Sequence, residues 1–286
     1  MKSDLNFGSN PELLLSVTEI QSDESVSALE ASALQNRLSN ELQSIRSAGV
    51  KNRKKVLKTI ENSNFVCLQC GQCCRHFEGD NTVYVLPDEI QFISESASVS
   101  REQFVLPLLP DFYKSFGSGE QSGVFADKES FYQIFQTGEI QTDADGRIHT
   151  FGWMLQKKKD GSCIFLDPSS QKCLIYDCRP GLCRTYPFYS EESEVFVCEC
   201  EGIGKAEKTD QNLTEESAEA LLKRALSDHE DYLKTSAVIK EKYEQFIFDT
   251  AAGKEQFEAN FNQNRMTFVV YDSTGICTVQ IQLKFE

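Results

Sequence analysis

The spacing of apolar positions changes several times along the chain, and each change marks a different kind of element. Residues 1–20 carry no sustained period and read as irregular. From about Glu24 to Asn62, Leu29, Leu34, Leu38, Leu42 and Ile45 recur at helix-like intervals. Gly49 divides this stretch, and Val56, Leu57 and Ile60 resume it. The intervals drift from a heptad, so they predict an amphipathic packing helix and not a coiled coil. "NTVYVL" (81–86) predicts a strand, and "PDEIQFISES" a helix that opens at Pro87 with acidic residues in its first turn. "SREQ" (100–103) has the pattern of a capping box, Ser100 at the N-cap and Gln103 reaching back. Residues 117–130, rich in Gly, Ser and Gln, predict a loop.

Beyond Arg147 the runs shorten to strand length. "RIHTFGWMLQKK" is followed by the turn pair Asp160–Gly161, and "CIFLD" and "CLIY", separated by "PSSQK", predict a small antiparallel meander. "EVFVCEC" (194–200) predicts another strand, and Thr214 opens a helical stretch to about Asp249. "MTFVVYDSTGICTVQIQLKF" predicts a hairpin turning at Ser273–Gly275. The sum is an α+β protein: a helical extension over 1–62, a small irregular cysteine-rich metal-binding core with short antiparallel strands over 63–205, and a helix plus β-hairpin over 206–286.

Composition narrows the function classes. The 286 residues are 40% hydrophobic and 26% charged, which suits a globular chain. The longest apolar runs are far too short to cross a bilayer, so no membrane role is expected. The N-terminus shows no secretory pattern, which places the protein in the cytoplasm, where thiols stay reduced. A net charge of −15 works against nucleic acid, because phosphate binding needs clustered Lys and Arg. The basic runs "KNRKK" (51–55) and "KKK" (157–159) are short and read as solvated faces.

Eleven cysteines in a reducing compartment turn attention to metal or redox chemistry. They cluster: Cys67, Cys70, Cys73 and Cys74; then Cys163, Cys173, Cys178 and Cys183; then Cys198 with Cys200. Cys277 stands alone in the hairpin and reads as a small core residue. The C-x-x-C-x-x-C spacing at 67, 70 and 73 begins the bacterial ferredoxin pattern, in which a remote cysteine completes the set. A structural zinc would take two separated C-x₂₋₄-C pairs, and this chain offers one tight block followed by wider spacings. Adjacent Cys73 and Cys74 diverge on a helix, so both can ligate only from irregular backbone or to different metal atoms. Arg75, Arg179 and Arg184 each neighbour a cysteine and are candidate donors to sulfur.

"CLQCGQCCRHF" together with "DGSCIFLDPSSQKCLIYDCRPGLCRTYPF" resembles the YkgJ-like cysteine-cluster proteins, a zinc- or iron-chelating family. The resemblance spans about residues 64–203 and rests on C-x-x-C-G-x-C-C, C-x-F-L, C-x-I-Y and R-P-x-x-C-R-x-Y-P-F. It implies metal chelation by Cys67, Cys70, Cys73, Cys74, Cys163, Cys173 and Cys183, with Cys178 as an eighth candidate at a position where the motif usually has another residue. One branch of the family resembles flagellin lysine N-methylases, which use S-adenosylmethionine; this chain shows no glycine-rich methyl-donor loop after a strand.

The reading is therefore a metal-binding protein whose cysteine blocks converge on an iron–sulfur cluster of the [4Fe–4S] type, in a redox or enzyme-accessory role with an unidentified protein partner. The alternatives are a zinc or iron ion in a structural site, and an S-adenosylmethionine-dependent protein lysine methyltransferase. His76, two residues past the first block, is a candidate ligand or supporting donor. His149 and His229 have no partner pattern, and Tyr176, Asp177 and Tyr186 read as packing residues near the site.

Overall fold

The computed structural model describes residues 15–22, 43, 53–75, 82–108, 142–158, 160–191, 194–206, 211–246 and 250–284. Its centre is the C-terminal hairpin, in which β8 (Arg265–Asp272) pairs antiparallel with β9 (Gly275–Leu283). Asp272 sets the turn: its carboxylate accepts from the N–H of Thr274 at 2.7 Å and the hydroxyl of Thr274 at 2.6 Å. β1 (Leu15–Ser22) pairs antiparallel with β9, and β4 (Ile148–Phe151) pairs parallel with β8, giving a four-stranded sheet ordered β1-β9-β8-β4.

This sheet is covered on both faces, as the pleat of β8 shows. Met266, Phe268 and Val270 point into the main core with Val279 and Ile281. Val269 and Tyr271, on the opposite face, pack with Ile276 and with Val238 from the helix Gln211–Lys242. Hence β8 reads as a near-continuous apolar run and not an alternating one. The helix Thr250–Asn262 adds Phe257 and Phe261 to the main core.

At Gly152, with φ +93°, the chain leaves β4 and enters β5 (Trp153–Leu155), the middle strand of a second sheet. There β5 lies between β2 (Tyr84–Val85) and β3 (Val105–Pro107), antiparallel to both. A third pair, β6 (Phe188–Glu191) with β7 (Glu194–Val197), forms a separate hairpin. Residues 53–63 are helical and bury Val56 and Ile60 against Phe188, Ala218 and Leu221.

Several predicted elements are present: the strand at Tyr84–Val85, the helix Pro87–Ala97, the capping box at Ser100 (its N–H donates to Gln103 Oε1 at 2.9 Å), β7, and the C-terminal hairpin. Others need correction. Residues 15–20, expected to be irregular, belong to an edge strand, because β9 offers a free ladder for them. The predicted meander at "CIFLD" and "CLIY" reduces to isolated bridges, Lys157 with Cys163 and Leu166 with Cys173. Local turns satisfy that backbone instead: Asp167 accepts from the N–H of Ser170 at 3.0 Å, and Lys158 Nζ donates to the Leu166 carbonyl at 2.6 Å. The helix expected to run to Asp249 ends at Lys242, and Thr250–Asn262 forms a second one. Leu29, Leu34, Leu38, Leu42, Ile45 and the loop predicted at 117–130 lie outside the described residues. Among the described residues, no helix is long and apolar enough to cross a membrane.

Candidate metal centre

The first cysteine block folds as a turn. Gly71, at φ +70°, precedes a single 3-10 turn over Gln72–Cys74, and the N–H of Cys74 donates to the Gly71 carbonyl at 3.0 Å. Only glycine suits this position on two counts. Its φ is left-handed, and a Cβ there would run into the Gln171 carbonyl and lie 2.8 Å from Leu166 Cδ1. The turn thereby presses against the loop between Cys163 and Cys173. The N–H of Cys163 locks the two segments by donating to the Cys74 carbonyl at 2.7 Å.

The second block is held by a carboxylate from outside it. Tyr176–Cys178 forms a 3-10 turn, followed by Pro180 and the short helix Gly181–Thr185, which carries Cys183. Glu89, in the first turn of the helix Pro87–Ala97, accepts from the N–H of Leu86 at 3.1 Å and from the N–H of Gly181 at 2.6 Å. One buried-edge carboxylate thus fixes both a helix start and the segment that aims Cys183.

The third cysteine segment is tied to the first by backbone. The N–H of Val66 donates to the Gly202 carbonyl at 3.0 Å, Gly204 to Ser63 at 2.9 Å, and Ala206 to Asn64 at 2.9 Å. Cys67 follows this ladder directly, and Cys200 precedes it; the N–H of Gly202 donates to the Cys200 sulfur at 3.4 Å. The Tyr186 hydroxyl donates to the Glu199 carbonyl at 2.5 Å, and the Tyr186–Pro187 peptide is cis.

Sulfurs far apart in sequence consequently meet. The Cys74 thiol is within hydrogen-bonding reach of Cys163, Cys173 and Cys73, and the choice of acceptors around its single S–H holds its proton on and pushes its pKa far up. Cys73, which receives that hydrogen bond, is drawn down to about 7, with the Arg179 guanidinium adding to the effect. Cys173 is lowered for the same leading reason, the hydrogen bond from Cys74. Burial pushes Cys183 well up, reinforced by the charges of Cys163, Cys73 and Cys173. Cys200 is raised by burial and then by Cys70, Cys73 and Cys67.

Arg179 is the cation that faces these thiols. Its Nε donates to the Tyr176 carbonyl at 2.8 Å, and its guanidinium lies 3.7 Å over the Tyr176 ring, so it is fixed before any ligand arrives. Arg184 instead partly opposes the rise that burial and the Cys173 charge cause in the Cys178 thiol, and lies over Phe92 at 5.5 Å. Arg75 is half-buried at the end of the 3-10 turn.

The remaining cysteines and the histidines sit in different surroundings. Cys178 is packed in the apolar core, where burial raises its thiol. Cys198 is likewise raised by burial, and its N–H is committed to the Pro187 carbonyl at 2.8 Å. Cys277 is buried in the core, as expected of a lone cysteine. His76 lies outside the described residues. His149 is a satisfied core residue, 2.9 Å from the Tyr271 hydroxyl and 3.1 Å from Asp143 Oδ2, and His229 lies on the helix Gln211–Lys242 near Tyr232.

Two residues read from sequence as packing near the site interact with its thiols, and a third supporting residue was missed. Tyr176 hydrogen-bonds the Cys67 sulfur, Tyr186 is pushed up to about 12 by burial and by Cys200, Cys198, Cys73 and Cys70, and Glu89 positions Gly181. The tyrosines had a signal, their position inside the cysteine motifs; Glu89 had none, being 92 residues from its partner.

Among the described residues no group of three or more His, Cys, Asp or Glu side chains already stands in metal-ion geometry. The sulfurs are drawn together as hydrogen-bonded thiols. The donor set still fits a metal: sulfur only, from several segments, beside a fixed cation. Such a set selects zinc or iron–sulfur over hard cations that want oxygen.

The α+β fold gathers thiols from separate segments onto turns. Residues 66–201 match the CxxCxxCC family model, described as a "Putative zinc- or iron-chelating domain". That match supports metal binding as the domain's general function. No solved structure matches the chain.

Proposed function

We propose that the domain holds an iron–sulfur cluster of the [4Fe–4S] type in thiolates of the first and second cysteine blocks, and serves a redox or enzyme-accessory role with a protein partner. The observation that carries this reading is the hydrogen bond from the Cys163 N–H to the Cys74 carbonyl at 2.7 Å, which joins blocks separated in sequence by the whole of the second sheet. Cys67, Cys70, Cys73, Cys74, Cys163, Cys173 and Cys183 are the pool from which its four ligands are drawn, with Cys178, buried at the core edge of the second block, as an eighth candidate. When bound, the cluster would supply one-electron chemistry.

The chain's own residues prepare the site for an anionic load. Cys73 and Cys173 have lowered pKa values, so they are the first to lose protons. Cys74 holds its proton until a metal displaces it, which makes loading proton-releasing. Arg179 offsets the gathered negative charge. Cys67 and Cys73 reach the surface, which provides an edge for delivery of metal or for electron exchange.

The test is iron, zinc and acid-labile sulfide analysis of protein purified without oxygen. Iron with matching sulfide and a visible charge-transfer band supports the reading. A colourless protein with stoichiometric zinc and no sulfide replaces it with a structural zinc site.

A further inference from the structure

Lys158 is the middle residue of the basic run 157–159, yet it is buried, with 8% of its surface exposed. Its ammonium donates to the Leu166 carbonyl at 2.6 Å, and among the described residues no carboxylate pairs with it. We propose that Lys158 is a positioning residue of the metal centre: it fixes the loop between Cys163 and Cys173 through Leu166, and it keeps a buried positive charge for the thiolate–metal load to balance. This rests on the thiolate site proposed above and gives it a supporting residue outside the cysteine motifs.

Leu166 is where the segments of the site meet. Its N–H donates to the Cys163 carbonyl at 3.0 Å, and it forms an isolated bridge with Cys173. Its side chain abuts the turn of the first block, since a Cβ on Gly71 would lie 2.8 Å from Leu166 Cδ1. A shift of the Leu166 peptide therefore moves Cys163 and Cys173 relative to each other and to the Gln72–Cys74 turn. Lys158 can hold that peptide because its own backbone is tied down. Its N–H donates to the Ser162 carbonyl at 2.8 Å, its carbonyl accepts from the Gly161 N–H at 2.9 Å, and the preceding residue, Lys157, bridges Cys163.

The charge needs its own explanation. A lysine ordinarily extends its ammonium to water, and burying one without a counter-ion is costly. The Leu166 carbonyl offers a dipole and no charge. Asp167 feels the Lys158 charge but spends its carboxylate on the turn, accepting from the N–H of Ser169 at 3.3 Å and of Ser170 at 3.0 Å. A thiolate–metal centre supplies the missing anion, because four thiolates around zinc or around a [4Fe–4S] core leave net negative charge. Lys158 and Arg179 would then meet that charge from two different segments of the domain.

Cobalt(II) titrated into the reduced, metal-free full chain, and followed by its thiolate charge-transfer absorption, tests the role. Lys158→Met keeps the length and the apolar stem, and should bind cobalt roughly 10–100-fold more weakly than the wild type. Lys157→Met removes the same formal charge from the adjacent residue and should stay within about twofold. Lys158→Arg restores the cation and should bind more tightly than Lys158→Met. In the metal-free state, hydrogen exchange at the amides of Leu166 and Leu174 should quicken in Lys158→Met, while the C-terminal hairpin keeps its wild-type protection and shows that the variant folds. Wild-type affinity in Lys158→Met, an equal loss in Lys157→Met, or a folded Lys158→Arg no better than Lys158→Met overturns the proposal and leaves the thiolate site standing. Absence of thiolate-to-cobalt absorption in the wild type would remove the thiolate site itself, and this role with it.

Discussion

The N–H of Cys163 donates to the carbonyl of Cys74 at 2.7 Å, so two cysteines from different motifs are joined through their backbones before any metal is considered. The joint depends on how closely the turn at Gly71 can approach the loop at Gln171. Preorganisation of this kind lowers the conformational cost of binding, because the sulfurs need not be gathered from a mobile chain.

Gly71→Ala should separate crowding from strain when compared with Gly204→Ala. Both glycines have left-handed φ, +70° and +72°, but only Gly71 has backbone where a Cβ would go; nothing lies within 4 Å at Gly204. Gly204→Ala is expected to cost about 1 kcal/mol, the left-handed penalty alone. Gly71→Ala should cost more than about 2 kcal/mol, since crowding adds to it, and should lower metal content. Urea unfolding of both variants with metal analysis checks the pair; equal losses would show that the approach to Gln171 does not matter.

Glu89→Ala removes the acceptor for two backbone N–H groups, on Leu86 and Gly181. The expected loss is about 1–3 kcal/mol, with Glu89→Gln losing less because its amide oxygen still accepts. Metal content should fall in Glu89→Ala, as Cys183 loses the support of its helix start. Unfolding curves and metal analysis read both effects.

In metal-free protein Cys73 should be the most readily alkylated thiol near neutral pH. Its pKa is drawn down to about 7 by the hydrogen bond from Cys74 and by Arg179, and the residue reaches the surface. Cys183, pushed up by burial, should label slowly. Arg179→Gln should slow the Cys73 reaction several-fold. Peptide mapping after brief iodoacetamide treatment measures each rate; unchanged labelling in Arg179→Gln would remove its electrostatic role.

His149 gives the fold a pH dependence apart from the thiols. Burial lowers its pKa below the ordinary 6.5, partly opposed by Asp143 and further lowered by Arg147. The native state therefore keeps it neutral where the unfolded chain takes up a proton. Stability is unaffected above about pH 6.5 and falls as pH drops below it, by at most about 1.4 kcal/mol per pH unit. His149→Gln should be less stable at pH 7 and should lose that part of the slope between pH 6.5 and 5. Denaturant titrations across this range compare the two slopes.

How legible each part was depends on whether its determinants are local. Pro87, the Ser100–Gln103 pair and Asp272 with Gly275 write their own elements, because cap and turn bonds close within a few residues. The clustering of thiols was legible too, and the resemblance to the family agrees with the match over 66–201. What was hidden lies in long-range pairing. The run "LSVTEIQS" becomes a strand only because β9 has an open edge. "CIFLD" has strand composition, but Asp167 and Lys158 satisfy its surroundings through turns. Cys178 clusters with the ligand candidates in sequence, yet it is buried in the main core with Ile175 and Phe165, which no local spacing reveals.

The most direct test of the central claim is X-ray absorption at the edge of whichever metal copurifies with the anaerobic wild-type protein, repeated on Cys163→Ser. The account predicts nearest neighbours that are all sulfur, at about 2.3 Å, and a lower metal content in the variant. A shell of nitrogen and oxygen, or a variant that retains the full wild-type signal, would mean that the Cys74–Cys163 junction holds no metal.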